Sequence, residues 1–288
     1  MTESSLPATA RPSTTTPPAP TVLSAVARNF ELTLGQMLWS RRTIFMAVVL
    51  GAPVLLAIVV RIVDASGVTP LRVNGERVGG TTIFGVLLWW LYVRFVVPVL
   101  GVFYGTALIA DEVEDKTITY LFTRPVPRRA VLIGKFLAYV VCTSLVVLPS
   151  IMIVFFLVVP LRDIGPSFLT LLTDLGLLAF GLAVYGALFA FVGAALKRPL
   201  VVGLVFAFGW EQVAMLMPGY VRHFTIVYYL QGLVPHAIPS EGITSLLASV
   251  FSEVPSAGIC LFWLTFILVG ALALAARAVE RREYVLSQ

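Results

Sequence analysis

Residues Ala110–Lys135, ADEVEDKTITYLFTRPVPRRAVLIGK, form the one long polar segment between two long apolar ones. Asp111, Glu112, Glu114 and Asp115 open it; Arg124, Pro125, Pro127, Arg128 and Arg129 close it; Lys135 falls just inside the next apolar run. Acids first and bases last suit a short helix, whose dipole favours anions at its start and cations at its end. Thr117, Tyr120, Leu121 and Phe122 give that helix a partly apolar face at roughly helical spacing. Hung between two membrane spans, such a helix either lies on the bilayer surface or docks against a partner.

Composition places the rest of the chain in lipid. Of 288 residues, 59% are hydrophobic and 12% charged, against about 25% charge in a soluble domain. Too few charges are present to cover a globular surface, so most of that surface faces hydrocarbon. The net charge of +5 comes from bases scattered between apolar runs, which is no nucleic-acid stripe. Cys142 and Cys260 both sit in apolar runs and read as small buried or lipid-facing thiols. His223 and His236 are too few and too far apart to suggest a metal site.

The expected fold is all-α, a polytopic membrane protein of six transmembrane helices preceded by an interfacial amphipathic helix. Residues 1–21, rich in Thr, Pro, Ser and Ala, read as a disordered tail. No apolar core follows a basic start, so no signal peptide is expected. Residues 22–42 repeat Val22, Val26, Phe30, Leu34 and Leu38 every fourth position, with Arg28, Asn29, Glu31 and Gln36 between them, as an interfacial helix would. The six-helix domain is expected over 43–279, with spans near 43–60, 82–110, 131–159, 168–196, 200–217 and 255–279, since a crossing needs about 20 apolar residues. Residues 111–130 link spans two and three, 161–167 form a short turn, and 280–288 are a tail. An even count leaves both termini on one side. That side would hold fourteen of the 20 Lys and Arg residues, which makes it cytoplasmic. The apolar connection 219–254, broken by Pro235 and Pro239, reads as short helices that re-enter or lie on the outer leaflet.

Single residues are less decisive. Glu211 is the acid most deeply placed, which suggests a functional site, but an outer-interface position hydrogen-bonded to the following loop is an equal reading. Asp174, counted from Phe168, falls about two turns inside its span and is expected at a solvated interface. Arg94 is expected to snorkel or to pair, with Glu211 one conceivable partner. Gly101 and Gly105 form a GxxxG expected to pack within the chain. Trp89, Trp90 and Tyr92 suggest an aromatic belt. Gly134-Lys135 lacks the remainder of a phosphate-binding loop, and neither HExxH nor GxSxG occurs, so catalysis within this chain is not expected.

The polar stretch resembles the equivalent segment in membrane subunits of type-2 ATP-binding-cassette exporters, the ABC-2 family. The matching residues are Glu112, Thr117, Arg124-Pro125, Arg128 and Gly134-Lys135; the glycine that often precedes the threonine is Lys116 here. Trp210-Glu211 with a later Tyr-Tyr-Leu also resembles a subset of that family. The resemblance implies a permease half paired with a second copy or a related permease, and a separate cytoplasmic ATPase subunit that carries ATP-Mg. No cofactor would be bound by this chain itself. Asp111, Glu112, Asp115, Thr117, Arg124, Pro125, Arg128 and Lys135 would couple to the ATPase, and Glu211 and Arg94 would be candidates for the substrate path. It implies a multi-pass protein of the cytoplasmic (inner) membrane. A secondary transporter, or a membrane anchor or assembly factor without transport, stays open.

Overall fold

The computed structural model describes residues 22–38, 41–66, 72–73, 76–77, 79–109, 128–217, 220–234 and 255–281. Among them the fold is helical apart from a two-residue antiparallel ladder, Arg72–Val73 against Glu76–Arg77. The helices are α1 (Val22–Leu38), α2 (Arg41–Ser66), α3 (Gly80–Ile109), α4 (Arg128–Val158), α5 (Leu161–Ala195), α6 (Pro199–Met215), α7 (Ile226–Gln231) and α8 (Ala257–Arg281). Helices α2, α3, α4, α5 and α8 are long and apolar enough to cross a membrane; α6 is apolar but shorter. Among the described residues, length and composition therefore support five crossings and one shorter apolar helix, where six crossings are expected from the sequence. The chain is a multi-pass membrane protein on this pattern, with large apolar side chains exposed along its helices, such as Ile44, Leu55, Leu145 and Phe262. The expected tails, most of the polar link at 110–127, and 235–254 lie outside the described residues.

The fourth span differs from expectation. Helix α5 begins at Leu161 rather than near Phe168, so 161–167 is not a turn. Pro160, extended at φ −60° and ψ 145°, starts it. Pro166 lies inside the helix, in its second turn, and lacks the N–H that would reach Arg162 O. Arg162 and Asp163 are thus first-turn residues of a long helix.

Helix α3 is the axis of packing. Its buried residues include Leu88, Tyr92, Val96, Leu100, Val102 and Tyr104. A β-carbon on Gly101 would stand 2.8 Å from Tyr185 Cβ, and one on Gly105 would stand 3.0 Å from Phe189 Cβ. The GxxxG therefore seats α3 against α5 of the same chain, as expected. Trp89 and Tyr92 are buried too, with Tyr92 bonded to Ser150 on α4 at 2.7 Å; only Trp90 of the supposed aromatic belt is exposed.

Three stretches depart from α geometry: Leu88–Val96 and Gly101–Gly105 in α3, and Val205–Trp210 in α6 are wide π turns. The Val97 N–H reaches Tyr92 O and the Glu211 N–H reaches Phe206 O, each five residues back. Pro98 supplies part of the cause in α3. It has no N–H for the carbonyl of Arg94, four residues back, and a wider turn re-registers the neighbouring bonds.

At the end of the bundle where α3 stops and α4 starts, several elements are tied together. Lys135 Nζ donates to Leu108 O at 3.3 Å. Helix α1 crosses so close to α4 that a β-carbon on Gly134 would stand 2.8 Å from Val26 O. Arg129 forms a two-pronged ion pair with Glu280 near the end of α8, its second contact 2.9 Å. Along α1, Val26, Phe30, Leu34 and Met37 are half-buried, while Arg28, Glu31 and Gln36 are exposed.

Candidate functional site

Glu211 is fully buried, although it sits in an apolar helix. A charge there is costly unless hydrogen bonds hold it, and each carboxylate oxygen has a donor. Tyr185 on α5, also fully buried, donates its hydroxyl to Oε2. The backbone N–H of Ile226 donates to Oε1 at 3.0 Å, and the N–H of Val227 also faces the carboxylate. These are the first N–H groups of α7, which a helix leaves without internal partners. Thr225 completes the cap: its Oγ1 accepts from the N–H of Tyr228 at 3.4 Å and donates to Arg222 O at 2.7 Å. Trp210 Nε1 adds a bond to Phe224 O at 3.3 Å.

Helix α7 is six residues long and buried along its whole length. Too short to be stable alone, it is held at its N-terminal end by Glu211 and packed by Leu230 against Gly181 and by the Tyr229 ring on Trp263, with centroids 6.2 Å apart. Glu211 thus works as a cap supplied from another helix. The sequence reading of an acid bonded to the following segment is right about the partner.

Arg94 lies on the wide turn of α3. It donates from Nη2 to Gln212 Oε1 at 2.6 Å, and its guanidinium sits 4.7 Å from the centre of the Trp90 ring. Glu211 acts on it electrostatically but does not bond it; the adjacent amide takes that place. A rise of 1.5 Å per residue puts Arg94 about 21 Å along α3 from Gly80, and Glu211 about 18 Å along α6 from Pro199. The helices run in opposite directions, so both charges fall near the middle of the bundle.

The other expected site residues separate into two sets. Asp111, Glu112, Asp115, Thr117, Arg124 and Pro125 lie outside the described residues, and Arg128 is described only as the first residue of α4. Lys135 is described, and its buried amine joins α4 to the last turn of α3. Asp174 is fully buried, not at a solvated interface. Counted from Leu161, it lies about 20 Å inside its helix. Cys142 and Cys260 are free and buried. Among the described residues no cluster of metal-type ligands occurs. Tyr185, Gln212 and Thr225 carry essential contacts that the sequence reading did not single out. The Glu-Gln pair inside an apolar run was the available signal for Gln212; Tyr185 has none, being one aromatic among many.

The described helices place a buried polar centre among apolar spans, the arrangement of a multi-pass membrane protein. A family model described as ABC-2 family transporter protein matches residues 19–278. The chain belongs to the ABC-2 transporter family and is the permease component of an ABC transporter. Permeases of this family lack an ATPase domain and normally work with a cytoplasmic ABC ATPase. Comparison with curated proteins gives no match.

Proposed function

We propose that this chain is the permease of an ATP-driven exporter in the cytoplasmic membrane, with both termini cytoplasmic, six crossings with α6 as the short fifth, and α1 lying in the inner interface. Two permeases, identical or related, pair with ATPase subunits that bind ATP-Mg. Closure of the ATPase pair pushes on 111–130, through Asp111, Glu112, Asp115, Thr117, Arg124, Pro125 and Arg128. Glu211 and Arg94 border the path taken by the substrate.

The observation that carries this reading is the bond from Lys135 to Leu108 O, beside the crossing of α1 over Gly134. It fastens to each other the two helices between which the polar link is strung, and this supports a segment that transmits force. Glu112→Lys and Arg128→Glu should each abolish ATP-dependent export while insertion and expression stay normal. Unimpaired export by either reversed chain overturns the coupling role.

The mid-depth charges favour one other reading, a secondary transporter driven by an ion gradient. Proteoliposomes distinguish the two: export that needs ATP and persists after the gradient is collapsed supports the exporter, and the converse supports the alternative. An anchor or assembly factor would give no export under either condition.

A further inference from the structure

We propose that Arg94 is the anchor of a binding site for the anionic head of an amphiphile, on the seam between α3 and α6; the inference deepens the substrate path described above and rests on that reading. The two central charges have been given different tasks. Glu211 spends its oxygens on neutral donors, the Tyr185 hydroxyl and the α7 backbone. Arg94 receives no ion pair in return. A guanidinium has five N–H donors; Gln212 takes one, and the buried Nε has no hydrogen-bond partner. The group is held in place by an amide on one side and the Trp90 ring face on the other, and the residue is half-buried. A cation fixed in direction and incompletely bonded suits an incoming phosphate or carboxylate, which the planar fork binds through two parallel bonds.

The surroundings specify the rest of the ligand. Trp90 and Phe95 on α3 and Phe208 on α6 are all exposed by more than a third, and the Phe95 and Phe208 rings lie 5.9 Å apart across the seam. A small inorganic anion would gain nothing from these rings. An alkyl or aryl tail attached to the anion would cover them. A bilayer lipid in its normal position keeps its head at the surface, about 15 Å from the midplane of a hydrocarbon core about 30 Å thick. An anionic head at Arg94 must therefore have been drawn inward, as a substrate would be.

The probe is dodecyl phosphate, added to the full-length permease in phosphatidylcholine vesicles, with Trp90 emission as the readout and Trp90→Phe identifying that signal. A saturable change with dodecyl phosphate is expected, at least tenfold weaker with dodecyltrimethylammonium or dodecanol and lost in Arg94→Gln. Arg94→Lys should keep part of it, because the charge remains while the fork is lost. Vesicles containing phosphatidylglycerol alone separate the sources: a quenched baseline there assigns the site to a resident lipid head, and an unaltered baseline assigns it to an added amphiphile. Equal responses in Arg94→Gln and the parent, or equal responses to all three probes, overturn the proposal. ATPase activity of the reconstituted complex is read separately. Stimulation without selectivity for the anion leaves the exporter standing and removes the site. Selective binding with no stimulation keeps the site and counts against the exporter.

Discussion

Replacing Tyr185 by Phe removes one hydroxyl and leaves the ring volume and its stacking on Phe189, at 6.1 Å, unchanged. Glu211 would keep the Ile226 N–H but lose its side-chain donor. Hydrogen bonds to charged groups contribute about 1.5–3 kcal/mol in soluble proteins. Interhelical bonds in membranes average about 0.6 and reach about 1.7 kcal/mol, because the unfolded chain in lipid also finds partners. Full burial places this bond toward the upper end, so Tyr185→Phe should cost about 1–2 kcal/mol, a factor of roughly 5–30 in the folded-to-unfolded ratio. A double-mutant cycle with Glu211→Leu isolates the pair, since Tyr185→Phe removes the donor and Leu offers no acceptor. Reversible unfolding in mixed micelles measures all four proteins. Coupling below about 0.5 kcal/mol, with Tyr185→Phe within the ordinary range of surface substitutions, would refute the idea that the hydroxyl holds the carboxylate.

Gly186→Ala should destabilise the fold by about 1–3 kcal/mol through overpacking, because its β-carbon would fall 2.0 Å from Tyr139 Cε1 and the Tyr139 hydroxyl is bonded to Leu182 O at 3.0 Å. Gly176→Ala meets nothing within 4 Å and should be neutral in the same thermal-shift assay. Thr225→Ala removes the local cap and should cost about 0.5–2 kcal/mol, seen as faster amide exchange confined to α7. Lys135→Met should leave insertion intact and lower export per ATP hydrolysed, measured in proteoliposomes. The charge swap Arg129→Glu with Glu280→Arg should restore any coupling lost in the single Arg129→Glu, and failure to do so assigns Arg129 a role other than its pair.

The long elements could be read from the sequence because apolar length is a direct consequence of bilayer thickness. Helices α3, α4 and α8 begin and end within a few residues of the expected limits. The start of α5 was misplaced because Arg162, Asp163 and Pro166 interrupt the apolar run. All three are compatible with a first turn or two, and the mistaken start made Asp174 look shallow. The wide turns were not legible, since one extra residue per turn over a short stretch leaves the pattern of apolar residues almost unchanged; Pro98 alone hinted at one. Glu211 was legible as an anomaly, a carboxylate among apolar neighbours. Its role was not, because the donors that hold it come from Tyr185, 26 residues earlier, and from a backbone 15 residues later. Gln212 in turn occupies the place where charge pairing alone would have put Glu211.

The wide turns also bear on how a push at one end of the bundle reaches its middle. Contacts tie α1, α3, α4 and α8 to one another near the polar link, so a push there would be shared by all four helices. A wide turn holds a surplus residue, and shifting the surplus along a helix rotates whatever lies between its old and new positions by about 100°, one residue's share of a turn. Arg94 lies within one such turn and Glu211 directly after another. Small axial travel at the fastened end would then emerge at mid-depth as a swivel of the two charges, and disulfide trapping across α3 and α6 in the presence and absence of nucleotide would register it as an exchange of cross-linking partners.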